Sequence, residues 1–276
     1  MKGFDQAIAQ DIEVEGYKLR YYRAGQGEPM LLIHGITSYS FIWSEVFETL
    51  SKQYDVIAVD LFGCGHSEKT LEIDHSLKNH ARLLWNFLDQ LHVDKLHIVG
   101  HDVGGGITQI MMVSSPKRIH TVTLINSVAY DFWPVQPIVA MRTPVIRQMA
   151  MATLDMGVFR MMITKGMYHK DKVDRVLMET FNLPMQTKEG RKAFLHFARC
   201  LNNQNLLEIE QELREIAKPV LIIRGDNDIY LSSTISEKLH SEIPNSRLIR
   251  ISSAAHFAML DEPDQVSDEI LNFLKR

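Results

Sequence analysis

The chain has 276 residues, 45% of them hydrophobic, which is enough to bury a large core in one domain or in a domain with an insertion. The 30 Lys and Arg residues against 34 Asp and Glu residues give a net charge of -4 without blocks of like charge, which argues against binding to nucleic acid or to an acidic membrane. No apolar run reaches signal-peptide or membrane-span length. We therefore expect a soluble cytoplasmic protein.

The predicted elements begin with a hairpin at 12–25, where polar and apolar residues alternate around Gly16. Six short, mostly apolar runs follow, as expected of strands covered on both faces. They are MLLIHG (30–35), YDVIAVD (54–60), LHIVG (96–100), VTLIN (122–126), VLIIRG (220–225) and RLIRIS (247–252). Helical periodicity occurs between these runs and after the last one, at 41–53, 75–91, 106–115, 233–243 and 265–275. The alternation predicts an α/β fold with a mostly parallel central sheet and helices on both faces.

The alternation of strand and helix stops once, between Asn126 and Lys218. This stretch has helical periods, no convincing strand and most of the chain's 14 methionines. We interpret it as an inserted helical cap, which divides the chain into a core of residues 1–126 and 219–276 and a cap of residues 127–218. Methionine-rich helices are usually ordinary core, but under a lid some can also line an apolar pocket.

Polar side chains follow four of the predicted strands, at the edge where open α/β sheets place their sites. The stretches are IHGIT (33–37), GHDVGG (100–105), RGDNDIY (224–230) and AAHF (254–257). Asp102 stands in a glycine turn between strand and helix, and His256 stands before the last helix. Taken singly, Asp102 could instead cap a helix, and Asp226 and Asp228 could both be turn residues. The coincidence of the four stretches favours a site.

The order of nucleophile, acid and histidine resembles the α/β-hydrolase superfamily over nearly the whole chain. An aspartate at the nucleophile position is similar to the branch that contains epoxide hydrolases and haloalkane dehalogenases. The resemblance implies a triad in which Asp102 forms an alkyl ester, His256 activates water and Asp228 orients the histidine. It also implies that the backbone amides of Ile36 and Val103 form an oxyanion hole. No metal or organic cofactor is implied, and Cys64 and Cys200 are expected to be reduced structural residues.

The substrate class depends on which side chains assist the leaving group. Haloalkane dehalogenases typically bind the halide between a tryptophan after the nucleophile and an asparagine or second tryptophan. Val103 and Ile36 occupy these positions, so Trp133 would be a single halide donor. Epoxide hydrolases require an acid, usually a cap tyrosine, for which Tyr168 and Tyr130 are the candidates. The HGxP turn of that group is HGIT in this chain, without its proline.

We expect hydrolysis of a small apolar electrophile with water as the second substrate, and we rank an epoxide above a haloalkane. His34 and Thr37 complete the candidate substrate-binding residues. Two other classes stay open, namely an ester, lactone or C–C hydrolase, and a ligand receptor without catalysis. A homodimer is compatible with the sequence, and we expect neither nucleic acid nor membrane as a partner.

Overall fold

The architecture is an eight-stranded sheet with helices packed against it, seen in a computed structural model that describes residue 4, residues 7–133 and residues 157–275. The strands are β1 (Ile8–Val14), β2 (Tyr17–Ala24), β3 (Pro29–Ile33), β4 (Asp55–Val59), β5 (Leu96–Asp102), β6 (Ile119–Ser127), β7 (Val220–Gly225) and β8 (Ser246–Ile251). Their order across the sheet is β1-β2-β4-β3-β5-β6-β7-β8. The β1–β2 and β2–β4 pairs are antiparallel, and every other pair is parallel. This confirms the predicted fold class.

Burial explains why the two kinds of strand differ in sequence. All residues of β5 and β7 are buried, as expected for strands in the middle of a parallel sheet, and both sequences are largely apolar. β1 lies at the edge of the sheet and alternates between exposed and less exposed residues. The predicted hairpin is therefore present, but β1 begins at Ile8 rather than at residue 12.

The helices fall between the strands as the periodicity predicted. In the described residues they are α1 (Ser44–Leu50), α2 (Leu77–Gln90), α3 (Val103–Ser114), α4 (Val158–Gly166), α5 (Arg175–Asn182), α6 (Lys188–Cys200), α7 (Gln204–Leu207), α8 (Glu210–Glu215), α9 (Ser233–Glu242), α10 (Ala258–Asp261) and α11 (Pro263–Leu274). One group, α1, α10 and α11, packs together against the sheet, and a second group contains α2 and α3. None of these described helices has the length and apolar composition needed to cross a membrane.

The described regular elements between β6 and β7 are all helices, from α4 to α8, and no described residue of this stretch forms a strand. Residues 134–156, which include four of the cap methionines, lie outside the described residues. The division into a core and a cap at residues 127 and 218 stays a prediction. Several bonds join this segment to the core, for example from the amide of Phe257 to the carbonyl of Gly166 at 3.2 Å.

The contact between α3 and the end of β3 requires a glycine. A Cβ atom on Gly104 would overlap the backbone carbonyl oxygens of Ile33 and His34, which cannot turn aside as a side chain can. Gly104 therefore allows α3 to begin directly against the neighbouring strand. This close approach brings the turn after β3 up to the first residues of α3.

We predict that Gly104→Ala destabilises the protein by about 3 kcal/mol or more, because overpacking against backbone relaxes poorly. Gly106→Ala, two residues along the same helix, is the matched control. Its Cβ would meet only side-chain ends, Leu77 Cδ1 and Val128 Cγ2, both at 2.8 Å, and the gain in helix propensity offsets part of that strain. Urea denaturation of both variants measures the difference, and equal losses would contradict the role given to Gly104.

Candidate active site

Asp102 occupies a strained turn between β5 and α3. It is the last residue of β5, and α3 begins at Val103. Its φ of 52° is unusual for a residue with a side chain, and such strain is retained where the surrounding structure enforces it. The turn presents Asp102 at the carboxyl edge of the sheet, where the sequence placed it.

The Asp102 carboxylate faces the turn after β3 and makes no capping bond to α3. Its Oδ2 accepts a hydrogen bond from the backbone N–H of Ile36 at 3.2 Å. Asp102 occupies the N-cap position of α3, but its side chain makes no capping hydrogen bond, so helix capping does not account for its carboxylate. Burial raises the pKa of the Asp102 carboxyl above its usual value, although the charge of His256 and the amides of Ile36 and Val103 oppose this rise. The two amides predicted to form the oxyanion hole thus both interact with this carboxylate.

His256 and Asp228 form a buried pair beside Asp102. The ring Nδ1 of His256 lies 3.0 Å from Oδ2 of Asp228, and both residues are at most 8% exposed. Burial by itself lowers the pKa of His256, but the charges of Asp228 and Asp102 and the bond to Asp228 raise it overall. Asp226, the alternative acid, instead pairs with Arg250 at the surface. The structure therefore brings Asp102, Asp228 and His256 together and leaves Asp226 apart.

Four donors saturate the Asp228 carboxylate. Oδ1 accepts the amides of Tyr230 and Leu231 at 2.8 and 3.2 Å, while Oδ2 faces both His256 and the guanidinium of Arg224. Burial alone would raise the pKa of Asp228, but the charges of His256 and Arg224 and these bonds hold it below its usual value. Asp228 is accordingly suited to remain ionised beside the imidazole.

Sequence reasoning missed two residues that hold the histidine loop in place. The side-chain amide of Asn126 donates to the carbonyls of Ala255 and His256, at 2.8 and 2.9 Å, and its oxygen accepts the amide of Gly225 at 3.0 Å. Nε2 of His101 lies 2.9 Å from the carbonyl of His256. Asn126 thereby links the loop of His256 to the end of β7. A polar residue closing the apolar run VTLIN was the signal in the sequence.

The candidate substrate-binding residues in the turn after β3 have different surroundings. Nε2 of His34 accepts the amide of Leu61 at 2.9 Å, and Nδ1 lies 2.7 Å from the carbonyl of Gly35. Burial lowers the pKa of His34 to about 4, so the ring is neutral. Both nitrogens are engaged within the protein, and we do not retain His34 as a substrate contact. Thr37 is half-buried and directly follows Ile36.

The aromatic candidates are also placed differently from one another. The ring of Tyr130 lies 3.8 Å from the ammonium of Lys238, and burial together with Glu242 raises its pKa. Tyr130 therefore packs against α9, and it is a poorer acid than an ordinary tyrosine. Tyr168 is 44% exposed. Trp133 is 3% exposed, and its indole Nε1 has no hydrogen-bond partner among the described residues.

Metal ligation has no support in the described part of the chain. No group of three or more His, Cys, Asp or Glu side chains is arranged there to hold an ion. The site offers instead a carboxylate, an imidazole and two backbone amides. These groups suit covalent catalysis with acid–base assistance.

A model of the α/β-hydrolase fold family matches residues 28–263. The chain therefore belongs to this family, which confirms the relationship predicted from the sequence.

Individual relatives differ in their named activities. The chain is 28% identical over 266 residues to the uncharacterized hydrolase YugF of Bacillus subtilis, with 95% of this chain and 96% of that protein covered. It is 26% identical over 273 residues to the cis-3-alkyl-4-alkyloxetan-2-one decarboxylase of Shewanella oneidensis, with coverages of 94% and 86%. It is also 26% identical over 266 residues to haloalkane dehalogenase 2 of Mycobacterium tuberculosis H37Rv, with coverages of 92% and 90%.

Solved structures share the fold at lower identity. Haloalkane dehalogenase DatA from Agrobacterium tumefaciens C58 superposes with a TM-score of 0.87 at 21% identity, covering 99% of this chain and 98% of that one. Epoxide hydrolase CorEH superposes with a TM-score of 0.84 at 18% identity, with coverages of 98% and 99%. The chain is thus similar in fold to both classes of enzyme.

We predict that Asp228→Asn lowers the pKa of His256 by about one pH unit or more, because it removes the buried negative charge that faces the ring. Titration of the His256 ring by NMR measures this, with the signal assigned by its loss in His256→Gln. Asp226→Asn removes the same charge two residues away and should leave the titration unchanged. An equal effect of the two variants would contradict the pairing of His256 with Asp228.

Proposed function

We propose that the protein is a hydrolase that uses Asp102 to form an alkyl-enzyme ester with a small apolar electrophile, and His256 to hydrolyse this ester. The observation that carries the proposal is the position of the Asp102 carboxylate. It faces the turn after β3, makes no capping bond to α3 and is bound at Oδ2 by the Ile36 amide, beside an imidazole that contacts Asp228. A carboxylate is nucleophilic without prior loss of a proton, which a serine hydroxyl is not.

In the first step, Oδ1 of Asp102 bonds to the substrate carbon while the bond from that carbon to the leaving atom breaks. The electron pair departs on a halide or on the oxygen of an opened ring. Oδ2, which already accepts the Ile36 amide, then becomes the carbonyl oxygen of the ester. The atom that must carry negative charge in the next step therefore already lies at an amide donor.

In the second step, a water molecule gives a proton to His256 and its oxygen bonds to the Asp102 carbonyl carbon. The negative charge that develops on Oδ2 is stabilised by the amides of Ile36 and Val103. Collapse of the intermediate expels the alcohol oxygen, which takes the proton back from His256. Asp102 is left as a carboxylic acid with one oxygen atom from water and returns to the carboxylate by losing its proton to solvent, and Asp228 stabilises the imidazolium while it exists.

The substrate class turns on what assists the leaving group. An epoxide, which the sequence resemblance ranks above a haloalkane, needs an acid to protonate the opened oxygen. All eight tyrosines of the chain lie among the described residues. The hydroxyls of Tyr39 and Tyr230 donate to the carbonyls of Thr180 and Met162, and Tyr130 packs against α9. Of the two tyrosines in residues 127–218, Tyr130 has a raised pKa and is the poorer acid, and Tyr168 is 44% exposed, so that it could protonate the opened oxygen only if the cap closed over it.

A haloalkane is the second candidate because of Trp133. Its buried indole N–H has no partner in the part of the chain that the structure describes, and an unpaired buried donor is costly unless a ligand accepts its hydrogen bond. A departing halide is such an acceptor.

We predict that His256→Gln accumulates a covalent adduct with a true substrate, because alkylation continues while hydrolysis of the ester stops. Mass measurement of the intact protein detects the adduct after incubation with epoxides, haloalkanes, esters and a β-lactone. The wild-type enzyme turning over in heavy-oxygen water should incorporate the label into the Asp102 carboxylate.

Two controls frame this experiment. Asp102→Asn should form no adduct, and His240→Gln, at an exposed histidine of α9, should behave as wild type. If the protein hydrolyses esters but forms no alkyl adduct and incorporates no heavy oxygen into Asp102, the proposal of alkyl transfer is wrong and acyl transfer takes its place. Saturable binding without product from any compound would indicate a receptor.

For the haloalkane candidate, we predict that Trp133→Phe slows alkylation by a haloalkane about 10- to 100-fold, the usual effect of losing a hydrogen bond to a charged group. Alkylation by an epoxide should change little. Trp85→Phe is the matched control, since its indole N–H already donates to Ser114. Equal rates for wild type and Trp133→Phe on every haloalkane would remove Trp133 from the site.

A further inference from the structure

Arg224 is a buried cation in an otherwise apolar strand. It belongs to β7, whose remaining residues are three aliphatic types and a glycine, and it is 3% exposed. Taking a charge out of water is expensive unless a partner and further hydrogen bonds satisfy it. A buried arginine here therefore calls for a specific partner.

The partner is the acid of the proposed triad. One arm of the guanidinium, Nη1, lies 3.3 Å from Oδ2 of Asp228, and the other arm, Nη2, donates to the backbone carbonyl of Asp228 at 3.0 Å. Arg224 thus holds both the side chain and the main chain of one residue. The same Oδ2 lies 3.0 Å from Nδ1 of His256, so arginine and histidine share one carboxylate oxygen.

The charged groups around this pair define the electrostatic balance. His256 is faced by Asp102 from the end of β5, by His101 from β5, and by Asp228 and Arg224 from β7 and its following loop. Arg224 is in turn faced by a separate surface group of charges. These are Asp226 of the same loop, Arg250 of β8 and Glu237 of α9, which also bind one another.

Sharing one oxygen has a definite consequence for the histidine. Burial by itself lowers the pKa of His256, Asp228 and Asp102 raise it, and Arg224 acts against that rise. Without the arginine, the undivided charge of Asp228 would stabilise the imidazolium more strongly. The protonated ring cannot accept a proton from water.

We propose that Arg224 is a positioning residue that fixes the triad acid in place and moderates its charge, so that a larger fraction of His256 is the free base than would be without the arginine. The inference rests on the proposed function, in which His256 must accept a proton from water. It assigns a role to a residue that need not touch the substrate.

The first test is independent of any substrate. In Arg224→Met and Arg224→Gln the pKa of His256, followed by NMR of the free protein, should rise by about one pH unit. Arg224→Gln keeps a hydrogen-bonding group for Asp228 and so protects the fold if the methionine variant does not fold. Arg224→Lys keeps the charge and should titrate close to wild type.

The second test separates the two chemical steps. In the proposed mechanism, hydrolysis of the alkyl ester requires neutral His256. The acidic limb of the pH–rate profile for ester hydrolysis should therefore move to higher pH, by the same amount as the pKa, in Arg224→Met and Arg224→Gln. At pH values well below the pKa of His256, ester hydrolysis in these variants should be about tenfold slower than in the wild type. Alkylation by Asp102 needs no base and should change less than about threefold. A merely structural loss would slow both steps without moving the limb.

Arg250→Met is the matched control, because it removes a cation from the neighbouring strand that pairs with Asp226 instead of Asp228. An unchanged titration in both neutral Arg224 variants, or an equal shift in Arg250→Met, would overturn the proposal. Arg224→Lys keeps the positive charge but loses the two-armed contact with Asp228, so it tests the positioning role separately. Ester hydrolysis at the wild-type rate at every pH in this variant would refute that role. If no ester forms with any compound, the proposed function fails, while the NMR titration still decides the role of Arg224 in His256 charge.

Discussion

The close approach of the turn after β3 to the turn after β5 is the constraint on which the site depends. β3 and β5 are neighbours in the sheet, and Oδ2 of Asp102 can reach the Ile36 amide only because nothing intervenes. Gly35 and Gly104 supply that space: a Cβ on Gly35 would lie 2.7 Å from Oδ2, and one on Gly104 would overlap the end of β3. Gly35 and Gly104 therefore serve close packing, and the position of the Ile36 amide beside Asp102 results from that packing.

Ionisable groups of both signs are buried together in the site. Asp102 and Asp228 both face His256, Asp228 also faces Arg224, and all four residues are at most 8% exposed. Buried ion pairs seldom add net stability, because the desolvation of both partners offsets their attraction. Hydrophobic residues of similar volume would serve the fold as well or better. The arrangement is better explained by the chemistry it permits, since each charge sets the protonation of the next.

Whether a feature could be predicted from the sequence depends on how far apart along the chain the interacting residues lie. Strands such as VLIIRG and the turn at Asp102 were predicted because apolar periodicity and glycine spacing are local signals. The bonds of Asn126 to the loop of His256 join residues 130 positions apart, and no local pattern encodes them. The sequence shows Arg224 as a charged residue within an apolar run, but only the fold shows that its partner is Asp228. The misassignment of His34 has the same cause, because the sequence places the residue beside the site without showing that its ring turns to Leu61.

The segment between β6 and β7 is tied to the core at the histidine loop itself. The amide of Phe257, next to His256, donates to the carbonyl of Gly166, and the buried carboxylate of Asp261 accepts the amides of both Tyr168 and Ala255. Asp261 thus bonds to the segment on one side and to the histidine loop on the other. A shift of this part of the segment would pull on the backbone that carries the base. Under the proposed function, these bonds would couple substrate selection by the segment to water activation at His256, so that a change in one would affect the other.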